Sequence, residues 1–176
     1  QNSQLYADEA VEDLPLDTRF KLGVEITSEQ HAFLDKHGFL VFEEVISADE
    51  VASVLQELDE VQATWISEDR KMNNGVPIFW GKDEEGQAFV QRFNFLSKFS
   101  STVHKLVHDA RFEPVRKLIG ENTRVGSDEK DGVVLNRFIN VPGSIYKRLG
   151  WHTDGLRDLF YLRMPKRMLN VGLHYN

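Results

Sequence analysis

The chain reads as an α+β protein in which helices come first and strands later. Two capped helix starts, at Thr27 or Ser28 and at Ser47, stand in the first third of the sequence. The longer strand-like runs, residues 133–140 and 168–175, stand near its end. That order is not the βαβ alternation of a parallel α/β sheet. There is no internal repeat and no low-complexity tract.

The 176 residues suffice for one domain with its own core, and twelve Phe supply bulk for it. The net charge of −7 argues against general nucleic-acid binding. There are no cysteines, so disulfides and thiolate metal sites are excluded, and a reducing compartment fits. No apolar run approaches a membrane span, and the N-terminus lacks a signal-peptide pattern. The expected setting is cytoplasmic, with no membrane partner. The sequence opens on Gln1 and ends at Asn176, one residue past an apolar strand, and we expect it to be a fragment.

Residues 1–23 are polar, acidic and aperiodic and read as an arm, with Leu14, Pro15 and Leu16 able to dock. The first helix then runs through Phe33 and Leu34 to His37, with Gly38 as its stop. Residues 39–42 are a short apolar strand. Ser47 and Glu50 form a capping box. The helix they open carries Val51, Val54, Leu55, Leu58, Val61 and Trp65 in one apolar stripe.

Residues 68–86, rich in charge, Asn and Gly, read as a long loop, either a lid or a surface insertion. Residues 89–99, with four Phe, are expected to pack under the main sheet. Ser100 or Ser101 caps a helix with Val103, Leu106, Val107 and Ala110 inward. His104 and His108 share a face of it, but the residues between them lack the Glu of a metalloprotease helix, so they read as solvent-flank histidines. A further helix spans 112–119 and stops at Gly120. A strand over 122–125 and a turn over 128–132 lead to the strand at 133.

Chemistry concentrates in Trp151-His152-Thr153-Asp154-Gly155. On an extended segment His152 and Asp154 point to one face, where an imidazole and a carboxylate can grip one divalent ion. Two-His-one-carboxylate sites with open positions suit non-haem Fe(II). The alternative is a surface turn with an ion-paired His. Six cations (Lys147, Arg148, Arg157, Arg163, Lys166 and Arg167) surround the segment, opposed only by Asp154 and Asp158. They either draw an anionic substrate toward the metal or form a solvated rim.

In the last strand Leu169, Val171, Leu173 and Tyr175 make one face, and Met168, Asn170, Gly172 and His174 the other. The second face can line a cavity, with His174 as a third ligand or simply exposed. On the earlier strand Asn136 and Asn140 share parity with Phe138, while Arg137 faces the other side; an Asn or the Arg can meet a bound carboxylate.

Several of these segments occur in a familiar order: Asp35-Lys36-His37-Gly38-Phe39-Leu40-Val41-Phe42, the Ser-capped helix, Leu135-Asn136-Arg137-Phe138-Ile139-Asn140, and then Trp151 to Gly155. Together they resemble the phytanoyl-CoA dioxygenase family of Fe(II)/2-oxoglutarate oxygenases, over about residues 29–176. The resemblance implies a double-stranded β-helix (jelly-roll) core with N-terminal flanking helices, incomplete in this chain. Residues 24–176 would be a partial dioxygenase domain. It implies that His152 and Asp154 are iron ligands and that Asn170 lies in the 2-oxoglutarate region. The cosubstrates would be 2-oxoglutarate and O₂, and the reaction hydroxylation of a small organic substrate with release of succinate. The family's distal His and its carboxylate-binding Arg have no match here, since His174 comes too early. Asp154 sets the chain apart from halogenating relatives, which lack that carboxylate. Two other readings remain open: a non-oxygenase cupin-like jelly roll that binds a metal or a sugar, and a helix-rich interaction module in which His152 is structural.

Overall fold

The computed structural model describes residues 14–128, 130–138 and 169–175. It is a mixed α and β chain whose strands are short and gathered in small sheets. Among the described residues no closed barrel forms, and no helix is long and apolar enough to cross a membrane. The chain divides into two compact units, one of residues 1–51 and 109–123, the other of residues 52–108 and 124–176.

In the first unit, α1 (Ser28–His37) begins where the sequence predicts. The Thr27 hydroxyl accepts from the Gln30 N–H, and the Gln30 side chain accepts from the Thr27 N–H at 3.0 Å. Gln30 also donates to the Lys21 carbonyl, so the cap ties the helix to the strand before it. Gly38 ends the helix at φ +80°, with its N–H on the Leu34 carbonyl.

That preceding strand, β1 (Phe20–Lys21), pairs in parallel with β2 (Phe42–Glu43). It lies within the expected arm, where two residues are too few to show a period. The ladder also starts later than the predicted run at 39–42. Phe39 instead packs edge-on against Phe33 at 5.6 Å, while Phe20 meets Phe33 at 5.3 Å.

Helix α2 (Ala48–Ser67) opens with the expected box: the Ser47 N–H donates to Glu50 at 2.8 Å, and the Glu50 N–H donates to the Ser47 hydroxyl. Glu50 then binds Arg111, which precedes the short α4 (Glu113–Lys117). The expected helix over 112–119 is therefore shorter, with a 3-10 turn at Ala110–Phe112 before it. Residues 122–125 are not a strand; the Thr123 hydroxyl donates to the Arg116 and Gly120 carbonyls and folds that stretch back.

In the second unit the α2 stripe is buried at Val54, Leu58, Val61 and Trp65, while Leu55 stays exposed. Trp65 packs on Phe93 at 5.4 Å and on Phe99 at 5.1 Å. Truncating such a side chain to Ala costs about 3–5 kcal/mol.

Residues 68–86 are not a long loop. β3 (Met72–Asn73) and β4 (Val76–Pro77) form a hairpin closed by Asn74-Gly75, and β5 (Phe79–Lys82) pairs with β6 (Ala88–Phe93). Asn74 and Gly75 have φ of 46° and 78°, the two positive values that a tight hairpin turn needs. The hairpin is anchored by the fully buried Asn94. Its side chain accepts from Asn73 at 2.7 Å and donates to the Val76 and Pro77 carbonyls. The Phe-rich run is thus, as far as Phe93, the middle strand of a sheet, because β6 also pairs with β7 (Leu135–Asn136), while Phe95 and Phe99 flank a 3-10 turn at Leu96–Lys98.

Ser100 caps α3 (Ser101–Val107), accepting from the Val103 N–H. Val103 and Leu106 are buried, but the helix ends before Ala110, which begins the 3-10 turn.

Candidate functional site

The strand that leads toward the His-x-Asp segment is the best-defined part of the candidate site. Its ladder is short, yet the backbone pairing extends on both sides. The Leu96 N–H donates to Val133, and the Arg137 N–H donates to Gln91 at 2.8 Å. Of the run predicted over 133–140, Leu135–Asn136 is assigned as strand, and residues 139 and 140 lie outside the described residues.

Two guanidinium groups fix β7 in place. Arg92 on β6 pairs with Asp131 at 2.5 Å and donates to the Asn136 side chain at 3.2 Å. Arg137 pairs with Asp59 of α2 at 2.9 Å and lies over the Phe93 ring at 5.8 Å. Gln62, one helical turn beyond Asp59, accepts from the Val90 N–H at 2.8 Å and so joins α2 to β6. Both guanidinium groups are thus matched by carboxylates. Arg137 serves to hold the sheet against α2, and a substrate carboxylate would compete with Asp59 for it.

The candidate residues fall as follows. Asn136 is exposed on β7 and accepts from Arg92. Asn170 is exposed in the 169–175 segment, which contains no assigned strand, contrary to the run predicted there. Part of the expected alternation survives in that segment. Leu169, Leu173 and Tyr175 are half-buried and Asn170, Gly172 and His174 exposed, while Val171 breaks the pattern at 52% exposure. Burial pushes the Tyr175 hydroxyl pKa above its ordinary value.

His152, Asp154, Asn140 and the six cations of 147–167 lie outside the described residues. Among the described residues no group of three or more His, Asp or Glu is placed to hold a metal, and His174 belongs to none. His104 on α3 and His108 at its C-cap are exposed, as the sequence predicts, and their rings stack at 4.5 Å.

The Arg92–Asp131 and Arg137–Asp59 pairs carry no signal in the sequence. Their members stand 39 and 78 residues apart, with no local spacing to mark them. No family model, curated protein or solved structure matches this chain.

Proposed function

We propose that this chain carries part of the iron site of an Fe(II)- and 2-oxoglutarate-dependent oxygenase of the phytanoyl-CoA dioxygenase kind. The observation that carries the proposal is the pairing of an imidazole and a carboxylate, His152 and Asp154, two residues apart downstream of a sheet strand. The donor set fits the ion. Nitrogen and carboxylate oxygen suit Fe(II), and the chain has no thiolate to draw a softer metal.

In this reading His152 and Asp154 would hold the iron, which when bound supplies oxidative decarboxylation of 2-oxoglutarate coupled to hydroxylation of a C–H bond. Asn170, Asn140 and Asn136 are assigned to orienting the cosubstrate carboxylate; Asn136 would do so alongside Arg92. The cations between 147 and 167 would raise the local concentration of an anionic substrate. The Arg92–Asp131 and Arg137–Asp59 pairs hold β7 in place, and in this reading that strand would support the ligand segment. The protein's own contribution is to bind, orient and exclude water.

A third ligand and a partner for the cosubstrate carboxylate have no match in these 176 residues under the resemblance. Turnover is therefore expected only where further sequence supplies both. The test is succinate formed from 2-oxoglutarate with Fe(II) under air, by the 176-residue chain and by a form extended past Asn176. The extended form should produce succinate, and His152→Ala and Asp154→Ala should each abolish it. Full production by the 176-residue chain would make His174 the leading third ligand. Unchanged production in both variants of the extended form would remove the iron assignment. A form that binds metal but never consumes 2-oxoglutarate would favour the cupin-like alternative.

A further inference from the structure

We propose that His104 and His108 form a solvent-facing chelate for a borderline divalent transition metal such as Cu(II), Ni(II) or Zn(II), made of residues other than His152 and Asp154. His104 lies on α3 and His108, four residues on, is the C-cap residue that ends it, and the two side chains meet there. Their rings lie 4.5 Å apart and 30° from parallel.

The tautomer is also set. The His108 Nδ1–H donates to the His104 carbonyl at 2.8 Å, which leaves the His108 Nε2 lone pair for a metal. A backbone carbonyl commonly plays this part behind a ligating histidine.

The helix that carries the pair is held at its start and along its buried side. The Glu57 carboxylate accepts from the Ser100 and Ser101 hydroxyls and from the Thr102 N–H. Val103 and Leu106 are buried. Little of the binding energy is then spent on ordering the ligands. Both rings are exposed, so an ion can reach them.

The donors select the ligand class. Two imidazoles with water at the remaining positions disfavour Ca(II) and Mg(II), which need oxygen ligands. They favour the later first-row ions, Cu(II) most strongly. The intervening Lys105, Leu106 and Val107 supply no general base, so the site binds metal without the chemistry of a metalloprotease helix.

The experiment uses untagged protein carrying His152→Ala, which removes a proposed iron ligand and keeps the two sites separable. Cu(II) is followed by electron paramagnetic resonance and Zn(II) by calorimetry. The expected Cu(II) spectrum shows coupling to two imidazole nitrogens. His104→Ala and His108→Ala should each remove one of them and weaken Zn(II) by about tenfold or more, at least the cost of losing an outer partner. Both positions are exposed, so an unchanged circular dichroism spectrum should accompany the loss. The same Cu(II) spectrum in the double variant, or no uptake of either ion by the His152→Ala protein, would overturn the proposal. Because the iron ligand is already absent, neither outcome bears on the oxygenase reading.

Discussion

The two helix starts near Thr27 and Ser47 and the hairpin over residues 72–77 are built on opposite logics. Each helix start is closed by residues three apart: Thr27 with Gln30, and Ser47 with Glu50. The hairpin has a local turn, but it is fastened by Asn94, 21 residues beyond its partner Asn73. Local contacts form at little loop-closure cost, whereas the distant one must be supported by the rest of the core. A cap should therefore be separable from the fold, and the buried Asn should not.

Replacing Asn94 by Ala should have the largest effect on that contrast. It leaves the buried Asn73 amide without its acceptor and removes a donor from the part-buried Val76 and Pro77 carbonyls. A loss of about 2–4 kcal/mol is expected in denaturant unfolding, since each buried polar group left unsatisfied costs about 1–3 kcal/mol. A loss no greater than that of a surface substitution would show that the hairpin does not depend on its distant anchor.

Gly75→Ala should come next. At φ +78° an added Cβ meets no neighbour, so the cost is conformational alone. About 1–2 kcal/mol is expected from the left-handed backbone. An unchanged melting temperature would contradict the tight positive-φ turn.

The helix starts were legible because helix caps announce themselves within four residues, but the expected order of helices first and strands later does not hold: β1 precedes α1, and β3 to β6 precede α3 and α4. Thr27, Gly38, Ser47 and Ser100 all act as the sequence predicts. The Asn74-Gly75 signal was present too, but the charged residues around it led the stretch to read as a loop. The strand at Phe20–Lys21 carries no periodicity and is defined only by its partner 22 residues later. The same limit governs the candidate site. The His152–Asp154 spacing is a local signal, while the pairing of Arg137 with Asp59 removes from easy reach a cation that sequence alone left free to bind a ligand.

The smallest expected effects are at the Ser47 cap. Ser47→Ala should cost about 1 kcal/mol, as loss of an N-cap usually does. The same box makes a pH prediction. Arg111, followed by the Ser47 N–H, holds the Glu50 carboxyl down to about 2 from the ordinary 4.5. A carboxylate with a lowered folded-state pKa contributes stability that is complete above its unfolded value and fades as pH falls toward the folded one. Glu50 therefore stabilises the fold above about pH 4.5 and loses that contribution between there and about pH 2. Glu50 is about a third exposed, and solvent screening keeps the effect modest. Glu50→Gln should flatten the acid limb of the stability curve over that window. An acid limb identical to the wild type would deny the pairing with Arg111.

The central functional claim turns on whether His152 and Asp154 grip one ion. The most direct measurement is an anaerobic Fe(II) titration of protein already carrying His104→Ala and His108→Ala, so that the helix pair cannot report. With two protein donors the binding should be weak, and both His152→Ala and Asp154→Ala should abolish it, since each leaves a single donor. Fe(II) uptake that is the same in the parent protein and in both variants would contradict the assignment of these two residues to a metal.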